Sequence, residues 1–167
     1  MSKLYNVSSS PHVRNKLTTG SVMLDVALCL LPATVMGIWH FKLQAVMVIA
    51  LAIISAVLTE YVFDYIAKRE NTVKDCSAVV TGLLLALCLP AGVPFYIPVL
   101  GSVFPILVVK CFFGGLGHNF MNPALAARCF LLISFPSQMT NFTCDAYTGA
   151  TPLAALKAGE SVNVMNM

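Results

Sequence analysis

Apolar runs separated by short polar breaks dominate this chain, and their lengths suit a lipid bilayer better than a soluble core. A largely polar stretch of twenty residues, MSKLYNVSSSPHVRNKLTTG, precedes an apolar run from Ser21 to Trp39. A second run extends from about Leu43 to Ile66 and ends at Lys68, Arg69 and Glu70. Both are near the ~20 residues needed to cross a hydrocarbon core as a helix. The next two are shorter: Ser77 to Leu89 stops at Pro90, and Phe95 to Val109 is interrupted by Gly101 and Pro105. They read as tilted spans or a re-entrant pair, and short apolar segments broken by Gly and Pro point toward a binding region in transporters. A fifth segment begins at Asn122-Pro123-Ala124 and runs to Phe135, with Asn122 as N-cap and Pro123 as first helical residue.

Composition agrees with the pattern. Of the 167 residues, 58% are hydrophobic and 10% charged, where soluble domains carry about a quarter charged. The fold class is therefore all-α, a polytopic membrane helical bundle of about five transmembrane or half-spanning segments. Three regions follow: 1–20, a cytoplasmic N-terminal segment; 21–135, the helical region; and 136–167, an outer-face segment. The run Gly37-Ile38-Trp39-His40-Phe41-Lys42 lacks the small residues of a signal-peptidase site, so the first apolar segment reads as a retained span.

The net charge of +3 does not indicate nucleic acid, because the basic residues are sparse and flank apolar runs instead of forming a stripe. With the N-terminus in the cytoplasm and five crossings, Lys3, Arg14, Lys16, Lys68, Arg69, Lys74 and Lys110 fall inside. Lys42 and Lys157 fall outside, as the positive-inside rule requires. Glu60, Asp64 and Lys68 are spaced four apart and are expected to pair on one helix face near the inner interface. Asp25 fits either a helix N-terminus or a polar role inside the bundle.

The six cysteines form no CxxC pair and mostly lie in apolar runs, where free cysteine packs as a small hydrophobe. His12, His40 and His118 are scattered, with no neighbouring set that suggests zinc or a catalytic triad. Asn6-Val7-Ser8 and Asn141-Phe142-Thr143 fit the glycosylation pattern, but such short matches are common.

The stretch that calls for a chemical explanation is Thr148-Gly149-Ala150-Thr151-Pro152-Leu153. Thr151 follows two residues with almost no side chain and precedes a proline suited to the first helical position. It reads as the N-cap of a short helix, Leu153 to Ala158, stopped by Gly159. A phosphate would be stabilised at such a helix start. A plain threonine cap accounts for the same residues.

Four blocks together resemble a known family: SSSPHVRNKLTTGSVM from Ser8, DCSAVVTGLLLALCLPAGVP from Asp75, FGGLGHNFMNPALAARCFLLISFP from Phe113 and DAYTGATPLAALKAG from Asp145. In this order they are similar to the RnfD proteins of the Rnf ion-translocating electron-transport complexes, relatives of the NqrB proteins of the sodium-pumping NADH:quinone reductase. The resemblance implies FMN esterified through its phosphate to Thr151, with Thr148, Gly149 and Ala150 completing the motif. Asn122, opening a helix beside the Gly114-Gly115-Leu116-Gly117 turn, reads either as a cofactor-binding residue facing a flavin or another subunit, or as a plain helix cap. The same resemblance implies a multi-pass protein of the bacterial inner membrane, partnered by the other Rnf subunits and matured by a flavin transferase on the outer side. A second, non-covalent flavin is compatible with it. The resemblance also implies that ferredoxin and NAD⁺ fall to other subunits; no GxGxxG follows a strand here and no cysteine cluster is present.

Two departures stand out. Cys76 occupies a place where the family usually has Gly, and family members continue for about as many residues again, reaching roughly ten spans. The chain is therefore expected to be an N-terminal half or a truncated form. A channel reading competes, because Asn122-Pro123-Ala124 opening a helix also occurs in aquaporin-type pores. Only one such motif is present, and no second copy followed by Arg.

Overall fold

The computed structural model describes residues 18–68, 72–115, 117–144, 147–149 and 157. The chain is a helical membrane protein, with one small β-hairpin after the last helix of the bundle.

Helix α1 spans Thr19–Ala67, 49 residues, and opens on a capping box in which Thr18 and Ser21 exchange side-chain and backbone hydrogen bonds. A straight helix of that length would reach about 73 Å, far beyond a ~30 Å hydrocarbon core. The two expected apolar runs are joined without a loop, and the break between them is one residue, Lys42, whose backbone is not helical (φ 52°, ψ −129°). Before the break, Thr34 is the buried residue of α1. After it, burial recurs at Ala45, Val48, Ala52, Ala56, Glu60 and Asp64, a stripe three or four residues apart that faces the rest of the bundle.

That stripe is made largely of small side chains, and it receives α2 (Ser77–Cys88) at close range. A Cβ added to Gly82 would lie 2.9 Å from the Ala52 carbonyl oxygen and 3.0 Å from the Ile53 Cα. Backbone therefore meets backbone here. In lipid, where apolar burial between helices gains little, such contact supplies the packing. A 3-10 turn, Thr72–Asp75, links α1 to α2.

Helix α3 (Tyr96–Phe104) continues without interruption into a π-helix, Pro105–Cys111. Pro105 has no amide hydrogen for the α-helical ladder, and the chain widens its turn: the Phe112 amide donates to the Leu107 carbonyl at 3.0 Å, five residues back. Ser55 of α1 and Ser102 of α3 share a hydrogen bond between the helices. Three glycines at positive φ, Gly114, Gly115 and Gly117, then turn the chain toward α4 (Pro123–Ser134). Asn122 caps α4 by accepting the Ala124 amide at 3.0 Å, and Pro123 takes the first position, as the sequence predicts.

The elements alternate in direction between two ends of the bundle. At one end, residues of the 89–97 segment pack with Val48, Leu131 and Met139, and Tyr96 meets Phe135 edge to face. Helix α5 (Pro136–Met139) lies at this end and leads into strands β1 (Phe142–Cys144) and β2 (Tyr147–Gly149), paired antiparallel. At the other end, Ala56, Ala78, Ile106 and Cys111 form a smaller cluster. The third and fourth apolar segments are both placed in the bundle as packed helices, with many apolar side chains of α1 (Trp39, Leu43, Tyr65 and Ile66 among them) left facing outward.

Candidate functional site

The Thr148–Thr151 motif begins in an ordered element. Thr148 and Gly149 belong to β2, with Thr148 opposite Thr143 and Gly149 opposite Phe142. Ala150, Thr151 and the expected cap at Thr151 lie outside the described residues.

Asn122 is at the far end of α4. That helix has twelve residues, about 18 Å of axial length, and α5 and the hairpin follow it. The residues expected to bind cofactor thus lie in two places: the hairpin carrying Thr148 and Gly149, and the glycine turn carrying Asn122. The same turn contains Asn119, whose side-chain oxygen is buried without a hydrogen-bond partner among the described residues.

A third group differs from the sequence expectation. The expected pairing of Glu60, Asp64 and Lys68 on a face at the interface does not form. Glu60 and Asp64 point into the bundle and are buried, whereas Lys68 is exposed and ends α1 in a left-handed conformation. The partner of Glu60 is Lys110, expected in an inner loop but 2% exposed at the end of the π-helix. Lys110 Nζ donates to Glu60 Oε1 and, at 2.6 Å, to Ser77 Oγ. Thr72 closes the group: its hydroxyl lies 2.5 Å from Glu60 Oε1 and 2.9 Å from Asp64 Oδ2, and its amide donates to Asp64 Oδ2 at 3.0 Å. A lysine inside ILVVKCFF was the available signal, because an ionisable side chain in an apolar run is costly unless partnered. Asp25, by contrast, is exposed.

The family model described as NQR2, RnfD, RnfE matches residues 6–167. The chain belongs to this family. Among curated relatives, the D subunit of the Na⁺-translocating ferredoxin:NAD⁺ oxidoreductase complex of Acetobacterium woodii is 53% identical over 159 residues, covering 93% of this chain and 50% of the relative. The D subunit of the proton-translocating ferredoxin:NAD⁺ oxidoreductase complex of Clostridium ljungdahlii is 42% identical, covering 92% and 48%. Its counterpart in the ion-translocating oxidoreductase complex of Shewanella denitrificans is also 42% identical, covering 92% and 45%. This family member spans about half the length of the curated relatives it matches. Cys76 adopts φ 56°, a left-handed backbone that glycine enters most readily.

Proposed function

We propose that this chain bears FMN in a phosphoester bond to Thr151 and passes electrons within a membrane complex that couples ferredoxin:NAD⁺ oxidoreduction to movement of Na⁺ or H⁺. The observation that carries the reading is membership of the NQR2, RnfD, RnfE family over residues 6–167, a stretch that contains Thr148-Gly149-Ala150-Thr151. Gly149 and Ala150, the two residues before Thr151, have almost no side chain to obstruct a transferase. Bound there, FMN would supply the one- and two-electron chemistry, while the protein fixes its position. Thr148 and Gly149, held in β2, anchor the start of the attachment segment.

Asn122 takes its cofactor role with a second, non-covalent flavin at the glycine turn. The unsatisfied Asn119 oxygen supports this, since a buried acceptor without a donor is a costly group that a ligand N–H would satisfy. The partners are the remaining subunits of the complex and the flavin transferase that installs FMN. With the N-terminus in the cytoplasm, Thr151 lies on the outer side.

Intact mass of the purified chain, made together with the transferase, tests the attachment. The expected mass exceeds the bare polypeptide by one FMN less one water, and Thr151→Ala removes the increment. A bare-chain mass for the unsubstituted protein refutes the reading.

A further inference from the structure

The polar group at the Glu60 end of the bundle is short of hydrogens. A threonine hydroxyl carries one, yet Thr72 Oγ1 lies at donor distance from two carboxylate oxygens, Glu60 Oε1 and Asp64 Oδ2. If it donates to Glu60, its contact with Asp64 sets oxygen lone pairs against each other unless the Asp64 carboxyl brings a hydrogen of its own. The charges show the same deficit. Among the described residues, two carboxylates, 0% and 5% exposed, face one ammonium, Lys110, so with both ionised these groups carry one more negative than positive charge inside the bundle. A separate observation concerns the other Glu60 oxygen: Oε2 is buried and has no hydrogen-bond partner among the described residues, a poor setting for an ionised oxygen.

We propose that Glu60, Thr72 and Asp64 form a binding site for one exchangeable proton, shared by the two carboxyl groups across the Thr72 hydroxyl, with Lys110 balancing the remaining charge. Asp64 keeps a small exposed surface and Glu60 keeps none, so protons enter and leave through Asp64. In the transfer step the Asp64 O–H gives its hydrogen to Thr72 Oγ1 while the Thr72 O–H gives its own to the Glu60 carboxylate. Two O–H bonds break and two form, the hydroxyl is regenerated, and one proton has moved from Asp64 to Glu60.

Among the described residues, no charged group other than Lys110 engages the site. Lys68 and Asp75 flank it in the chain, but among the described residues neither forms an ion pair with Glu60 or Asp64. Helices α2 and α3 contain no charged residue, and Ser77 is engaged by Lys110. The proposal does not depend on flavin attachment to Thr151.

Infrared difference spectroscopy of the intact membrane complex, in water and in heavy water, tests this. The unsubstituted protein is expected to show a carboxylic-acid C=O band that shifts in heavy water. The band is lost in Asp64→Asn and also in Glu60→Gln, because either change leaves one carboxylate for one ammonium. Thr72→Val shifts the band and slows its hydrogen exchange, and Thr72→Ser, which keeps the hydroxyl, restores both; this pair serves as the test where the carboxylate variants assemble poorly. Absence of the band, its persistence in Glu60→Gln, or indifference to Thr72→Val overturns the shared proton. Loss of the band on adding NaCl at fixed pH assigns the extra positive charge to an alkali ion and overturns it equally.

Discussion

Lys110 is a residue whose loss the fold is expected to tolerate poorly. Its ammonium is held between Glu60 and Ser77 with 2% of its surface exposed, so Lys110→Met leaves the buried Glu60 carboxylate without its cation. The expected cost is about 3 kcal/mol, read as a lower unfolding temperature of the detergent-solubilised protein. Joining it to Glu60→Met, which removes the stranded charge as well, should recover most of that loss. Equal instability of the single and double variants would mean that Lys110 acts by packing alone. This pair also marks the limit of what the sequence makes legible. The lysine is visible there, but its partner is 50 residues away, and only the fold brings α1 and the π-helix together. Asn122 was legible because its role is local: cap and proline sit side by side in sequence and act on the next turn.

At the scale of elements, the contact between α1 and α2 depends on the absence of side chain at one position. Gly82→Ala would drive a methyl group into the backbone at Ala52 and Ile53, which cannot swing aside as a side chain can. The helices must separate, at an expected cost of about 1–3 kcal/mol, detectable as a fall in unfolding temperature. Gly101→Ala meets chiefly the Leu131 side chain, which can turn away, and should cost less. An unchanged unfolding temperature in Gly82→Ala would show that the helices are not so closely apposed in the bilayer. The apolar runs announced four of these helices to within a few residues, because hydrophobic length and proline position are local signals. The π-helix and the single-residue break at Lys42 were not legible. Pro105 gave notice of an interruption without specifying that the ladder would widen instead of stopping.

For the whole molecule, the bundle carries its polar cluster at one end and the hairpin that precedes Thr151 at the other, which fits the membrane sidedness proposed from the Lys and Arg bias. Single-cysteine variants in a background freed of the native cysteines give the measurement. An impermeant thiol reagent is expected to label position 148 from outside the cell and position 68 only after the membrane is opened. Labelling of both from one side would rule out an odd number of crossings between them. The brevity of α2 carries a consequence for biosynthesis. Its twelve residues reach about 18 Å, too little to cross the hydrocarbon core alone, and its stable place depends on backbone contact with α1. A translocon sampling segments one at a time would find no adequate stop in α2. The segment must therefore wait for the α3 and π-helix stretch, through Cys111, and enter the bilayer with it as a hairpin against an α1 already in place.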